Sequence, residues 1–269
     1  MKYRVIALII SILYIFQANA QENTEEKQIF PLDVTEGSTV LFTFGQSNAA
    51  NHGQEQYTPK NKVYNYCKGT VYDGKDPLVG PTGGGGSVWT RLADMMIDSG
   101  MTDSVTITAI AVGATDIASW AEGGFLHGML TESIDRMLAD GIVPDYILWH
   151  QGESDNIANT SVEDYVKRFE SIRKAFRDRG ITAPIYIAVA SYHPACISDD
   201  NGIDKNVRNA QKLLAKKYKD IYLGPDTDKF DRCVYRHDGV HFSSKGLEAH
   251  AKAWLKALKV SGVHRQHGN

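Results

Sequence analysis

The chain has 269 residues, 42% hydrophobic and 23% charged, with a formal net charge of −3. That is an ordinary globular balance, in a length that suits one large domain or two small ones. A slightly acidic chain has no basic footprint for nucleic acid, so no nucleic-acid partner is expected.

The N-terminus opens on the short positive run Met1-Lys2-Tyr3-Arg4, followed by an apolar stretch over 5–16. Ala18-Asn19-Ala20 then fits the small-x-small rule of signal peptidase. A membrane span needs about 20 apolar residues, so this segment reads as a cleavable signal peptide, residues 1–20. The mature protein is expected to be secreted or periplasmic, with cleavage near Ala20 and no membrane association afterwards. No cysteine follows the cleavage site, which argues against a lipoprotein. Residues 21–36 are polar and acidic and read as a leader, and 37–262 reads as a single domain. The three cysteines, Cys67, Cys196 and Cys233, form no CxxC pair, so a zinc ribbon is excluded. Cys196 and Cys233 both fall in loop-like segments and are a candidate bridge, but spacing alone does not show the Cα approach a disulfide needs.

From residue 39 onward, apolar runs alternate with amphipathic ones. The first strand, 39–44, ends in Gly45-Gln46-Ser47-Asn48. A glycine run at 83–86 follows no predicted strand and lacks a Walker lysine, so it reads as a mobile loop beside the site and not as a phosphate cradle. Val88, Leu92, Met95 and Met96 then mark a helix face. The second strand, 105–112, ends in Gly113-Ala114-Thr115-Asp116, and Leu126, Leu130, Ile134 and Met137 mark the next helix. The third strand, 145–150, ends in His150-Gln151-Gly152-Glu153-Ser154-Asp155. Thr160 and Glu163 form a capping-box pattern ahead of a helix that carries Tyr165, Val166, Phe169, Ile172 and Phe176 on one face. The strand at 184–190, the helical stripe Val207, Ala210, Leu213, Leu214 and Tyr218, the strand at 220–224 and a last helix with Leu247, Ala251, Trp254, Leu255 and Leu258 complete the series.

The runs are apolar on both faces, as strands of a covered parallel sheet are. Five strand–helix repeats predict one α/β domain of three layers, with every strand's carboxyl end on one rim. That rim collects the three strand-end clusters and the late loop Tyr235–Ser244, which holds Asp238 and His241. Each cluster alone is weak evidence, but together they supply what acyl transfer needs. Ser47 is a nucleophile and His241 a base. Asp238, three residues earlier in the same loop, fits as the group that orients the imidazole. Donors for an oxyanion are at hand in the Ser47 and Gly113 backbone amides and the Gln151 side chain.

Ser47, Gly113, Gln151 in place of the usual asparagine, and Asp238-x-x-His241 resemble the SGNH hydrolase superfamily. Gly45-Gln46-Ser47-Asn48, His150 to Asp155, and Asp238 to Phe242 together resemble its sialate O-acetylesterase branch, which includes the acetylxylan esterases of carbohydrate esterase family six. Asp76-Pro77-Leu78 and the run Asn206 to Gln211 fit that branch as well. The resemblance covers nearly the whole mature chain in order. It implies a flavodoxin-like fold with a five-stranded parallel sheet. The implied reaction is deacetylation of a sugar ester through an acetyl-serine, with neither metal nor cofactor. Acetylated xylan, sialic acid or a related oligo- or polysaccharide is the implied substrate. Ser47 is then the nucleophile, His241 the base, and Ser47, Gly113 and Gln151 the oxyanion hole. Asp238 is favoured as the acid partner, and Glu153 is the alternative.

The plainer readings stand beside these. Asp238-Gly239 is by itself a turn signal, and Glu153 and Asp155 suit the first turn of a helix. His150 reads as a satisfied buried histidine and is left out of the chemistry. Trp89 and Trp120 suit either core packing or a sugar platform. His237 and His241 have zinc-pair spacing, but Gly239 argues against a helix and no third ligand is evident, so no metal is expected. Two competing functions are a lipase or thioesterase of the same superfamily and a carbohydrate-binding protein without catalysis. The sequence gives no sign of oligomeric state.

Overall fold

The computed structural model describes residues 27–194, 201–230 and 233–260. The signal-peptide segment lies outside the described residues, as does Cys196 and with it the Cys196–Cys233 pairing. The strands are β1 (Ile29–Phe30), β2 (Thr39–Gly45), β3 (Val63–Cys67), β4 (Thr70–Asp73), β5 (Val105–Ala111), β6 (Tyr146–His150), β7 (Ile185–Val189) and β8 (Ile221–Asp226). They form one sheet in the order β1-β4-β3-β5-β2-β6-β7-β8.

The five expected strands are present as β5-β2-β6-β7-β8, all parallel. The expectation of a five-stranded sheet is corrected to eight strands. β3 adds to β5 in parallel, β4 turns back antiparallel on β3, and β1 pairs antiparallel with β4. These three lacked the signal that revealed the others. β3 and β4 are short and carry tyrosines and a buried asparagine where the central strands carry aliphatic runs. Lys68 and Gly69, at φ 50° and 88°, join them in a two-residue turn of the primed kind that suits the twist of a hairpin. β1 is two residues of the segment read as a polar leader, held by backbone pairing that leaves no hydrophobic pattern.

The helices are α1 (Val88–Asp98), α2 (Ile117–Trp120), α3 (His127–Ala139), α4 (Glu153–Ala158), α5 (Val162–Arg177), α6 (Lys205–Lys217) and α7 (Ser244–Val260). Side chains alternate across a strand, so β2 feeds two cores. Phe42 and Phe44 join Leu130, Ile134, Phe169, Phe176 and Leu214 on the face covered by α3, α5 and α6. Leu41 joins Leu92, Met96, Leu247 and Trp254 on the face covered by α1 and α7. The expected helical stripes point into these cores, except Leu213, which is 44% exposed. The start of α5 is one residue later than expected. Ser161 caps it by accepting from the Asp164 amide, which frees the Thr160 hydroxyl to donate to Asp155 Oδ1 at 2.6 Å. Among the described residues no helix is long and apolar enough to cross a membrane.

The register fixes the rim. Gly45, the last residue of β2, pairs with Ala111 of β5 on one side and His150 of β6 on the other. Three strands therefore stop at one level, and the residues after them face one another.

Candidate active site

At the end of β2 the chain turns sharply beneath a neighbouring strand. Gly45 has φ 139°, and a Cβ there would lie 2.0 Å from the His150 carbonyl oxygen. Only glycine fits that approach. Gly152 is bound the same way, at φ 152° with a Cβ position 1.9 Å from the Ala190 oxygen. Between these two glycines the Gln46 side chain bridges the strands. Its Oε1 accepts from the Ser154 amide at 3.1 Å, the Gly152 amide at 3.3 Å and Gln151 Nε2 at 3.2 Å. Ser47 follows as the first residue of a 3-10 turn over Ser47–Ala49 and is 5% exposed. Its carbonyl accepts from Ala50, while its own amide takes part in no hydrogen bond among the described residues.

The late loop delivers His241 to the same rim. Arg236 and Phe242 bridge its two arms, and the His237 amide donates to the His241 carbonyl at 2.9 Å. Inside the loop, Asp238 Oδ1 accepts from the amides of Val240 at 2.8 Å and His241 at 2.7 Å. Its other oxygen takes the proton of His241 Nδ1 at 2.6 Å. Partial burial pushes the Asp238 carboxyl up, but the two amides and the imidazole hold it far below the usual carboxylate range. Asp238 stays ionised, and His241 keeps its Nδ1–H tautomer with Nε2 left as the basic atom. Asn48, next to Ser47, reaches the carbonyl of Val240, next to His241, at 3.4 Å. The serine turn and the histidine loop are thus tied through their neighbours. Among the described residues no hydrogen bond joins the Ser47 hydroxyl directly to His241.

The expected oxyanion donors are placed unequally. The Ser47 amide is open. The Gly113 amide donates to Thr82 Oγ1 at 3.0 Å. Thr82 then has its own proton for His52 Nε2 at 3.1 Å. His52 is neutral, because burial first and the neighbouring His241 second push it down to about 4. Its ring stacks on His241, with centroids 5.1 Å apart. Gln151 is held by other partners. It is fully buried, and its amide nitrogen already faces Asp155 Oδ2, the Thr115 carbonyl and Gln46. Tyr165 donates to its Oε1 at 3.2 Å. In this arrangement the amide ties the loops after β5 and β6 together.

Glu153 does not touch His241 through any hydrogen bond among the described residues. It is buried, and its Oε1 accepts from Asn48 at 2.7 Å and meets His150 Nε2 at 3.2 Å. The protons can be assigned by following the column below it. Trp254 only donates, so His250 Nε2 accepts from it at 2.9 Å. His150 Nδ1 lies 3.2 Å from the same His250 nitrogen. A carboxylate only accepts, so His150 donates from Nε2 to Glu153. Burial alone would push Glu153 up, but the electrostatic pull of His150 and the hydrogen bonds of His150 and Asn48 bring it down to about 2. The expectation that His150 is buried and satisfied holds.

Glu153 is thus a positioning group for Asn48. Glu153→Gln should destabilise the protein by about 3 kcal/mol, measured by urea unfolding, because it breaks the buried pair of Glu153 with His150. The carboxyl is more acidic in the fold than its ordinary 4.5, so the stability it gives is present above that pH and lost as pH falls toward about 2. The variant should lack this acid limb of the stability curve.

Other expectations are settled by position. Trp89 and Trp120 are both fully buried, with indole N–H groups donating to the Ala49 carbonyl and Thr115 Oγ1, so neither offers a face to sugar. The glycine run does lie beside the site but is pinned. Gly85 donates to the Asn51 carbonyl at 2.7 Å, and Gly86 exchanges hydrogen bonds with Gly53 at 2.8 and 2.9 Å. Gln46, Asn48, His52 and Thr82 were given no role from sequence. Two of them sit inside the quoted Gly45–Asn48 motif, which was the available signal. His52 and Thr82 had none, since their contact depends on how the 78–86 segment folds back.

A doubly covered, mostly parallel sheet with a serine turn and an Asp–His loop on its carboxyl rim defines an SGNH-type α/β esterase. Over residues 38–258 the chain matches the model of the carbohydrate esterase, sialic acid-specific acetylesterase family, and it belongs to that family. Its fold is shared with a protein from Arabidopsis thaliana at 17% identity and TM-score 0.66, covering 83% of this chain and 98% of that one. A family 3 carbohydrate esterase from Clostridium thermocellum aligns at 15% identity and TM-score 0.54, covering 86% and 100%. An acetyl-xylooligosaccharide esterase from Geobacillus stearothermophilus aligns at 11% identity and TM-score 0.54, covering 82% and 94%. Comparison with curated protein sequences finds no relative. Family membership makes this chain a hydrolase acting on esters, of the carbohydrate esterase kind.

Proposed function

We propose that the protein is an exported serine esterase that removes O-acetyl groups from carbohydrates through an acetyl-serine intermediate. The observation that carries this reading is the 2.6 Å contact of Asp238 with His241 on the rim where β2 delivers Ser47. Ser47 Oγ attacks the acetyl carbonyl as His241 Nε2 takes its proton. The carbonyl oxygen becomes an oxyanion beside the open Ser47 amide, and the Gly113 amide joins it once Thr82 turns away. His241 returns the proton to the leaving sugar oxygen. Water, activated by the same nitrogen, then releases acetate. Asp238 is the acid partner in this scheme, since Glu153 is engaged with His150 and Asn48.

The test is acetate release from acetylated xylan, O-acetylated sialic acid and other acetylated glycans, with the Ser47→Ala protein as blank. Acetate from at least one glycan, and faster turnover of acetyl than of octanoyl esters, are the expected results. Preference for octanoyl esters would move the protein to the lipases or thioesterases. No release from any ester, with glycan binding retained, would make it a binding protein. The export expectation is checked by N-terminal sequencing of the mature protein, which should start near Gln21.

A further inference from the structure

The late loop holds more than an acid and a base. His237, Asp238 and His241 bring one ligand atom each to within 4.8 Å of one another. The spacing of the two histidines had suggested a metal pair without a third ligand, and the folded loop supplies that ligand in Asp238. Its Oδ2 lies 2.6 Å from His241 Nδ1 and 4.0 Å from His237 Nε2. All three side chains are open to solvent, at 29%, 41% and 22% exposure for His237, Asp238 and His241. We propose that His237, Asp238 and His241 form an inhibitory site for a zinc-like divalent ion, which switches the esterase off by occupying its base.

Two imidazoles and a carboxylate, with a position left for water, are a donor set suited to Zn²⁺. Bonds of about 2.0–2.2 Å place tetrahedral ligand atoms about 3.4 Å apart. His237 therefore has to close on Asp238 by roughly half an ångström, and His241 has to open from it by a similar amount. The loop permits both, because its ring atoms are exposed and its turn runs through Gly239 at φ 84°.

The proton count is simple. The proton of His241 moves from Nδ1 to Nε2, with no net change, and the ion takes the vacated place between imidazole and carboxylate. His237 now donates from Nε2 to the His52 carbonyl at 3.3 Å. It presents Nε2 to the ion by moving that proton to Nδ1, with no net change. His241 is then fixed as a ligand and can no longer cycle a proton for Ser47.

The inhibition rests on the esterase reading, whereas the binding does not, so two readouts are needed. Zn²⁺ binding to untagged mature protein is followed by calorimetry, with Co²⁺ absorption as a second probe of coordination. Hydrolysis of an acetyl ester is measured alongside, with and without Zn²⁺ and then chelator. The wild type should bind one ion per described site at micromolar Zn²⁺, show the strong visible bands of tetrahedral Co²⁺, lose its activity and regain it with chelator. His237→Gln keeps a donor for the His52 carbonyl, so its metal-free rate should stay near wild type. Its Zn²⁺ affinity should fall at least tenfold by both readouts. Any binding by His264 and His267 in the tail is common to both proteins and cancels. Equal affinity in wild type and His237→Gln, or no wild-type binding below millimolar Zn²⁺, overturns the site. If metal binding depends on His237 but no protein hydrolyses an ester, the site stands and the esterase reading fails.

Discussion

Ser47→Ala should lower the turnover of an acetyl ester by about four to six orders of magnitude while leaving the thermal midpoint within a few degrees of wild type. The size follows from losing the only group that forms the covalent intermediate. In enzymes of this chemistry, removing the nucleophile costs about as much as removing the whole triad. Stability should hold because the packing around Ser47 does not depend on its hydroxyl. The turn is set by the tight approach of Gly45 to His150, by Gln46 across the strand ends and by the Ala50–Ser47 backbone bond. Glycan binding should also survive, since the side chain lost is one oxygen on a rim built from several segments. Steady-state assays of acetate release, run with a melting curve on the same samples, check both halves. An alanine protein that keeps more than a tenth of the wild-type rate would remove Ser47 from the chemistry.

Asp238→Asn is the second large effect, expected at about 10⁴-fold in kcat. The substitution preserves shape. An asparagine oxygen still accepts from the Val240 and His241 amides, so the loop keeps its turn. What changes is the atom facing His241 Nδ1. A carboxylate oxygen accepts there, whereas the amide nitrogen of asparagine donates. His241 must then carry its proton on Nε2, and the nitrogen meant to receive the serine proton is occupied. The effect should therefore fall on kcat with little change in KM, and raising the pH should not restore it, because a wrong tautomer is not cured by deprotonation. Glu153→Gln should behave differently, losing stability while retaining far more turnover. If Glu153→Gln were the more severe variant in kcat, the acid role would belong to Glu153.

The sequence made the core of this architecture legible, and for a physical reason. Strands buried on both faces must be apolar throughout, so β2, β5, β6, β7 and β8 announce themselves. The helices that cover them must be apolar along one stripe. The β3–β4 hairpin obeys neither constraint. It sits toward the edge, is closed by Lys68 and Gly69, and is held largely by backbone hydrogen bonds that any side chain permits. The site shows the same division. Ser47, Asp238 and His241 could be placed on one rim because the topology restricts where strand ends and the late loop meet. Gln151 could be located but not assigned, since nothing in its spacing tells an amide aimed at substrate from one turned inward toward Asp155 and Tyr165. His52 and Thr82 act through segments distant from them in the chain, so only the folded backbone reveals them.

The buried column running from Trp254 through His250 and His150 to Glu153 and Asn48 has a consequence in time as well as in space. It fastens α7 to the turn that carries Ser47. Until α7 takes its seat, His150 lacks its partner His250 and Asn48 lacks a fixed Glu153. The neighbourhood of Ser47 is completed only when α7 docks, so the helix and the serine turn are set together.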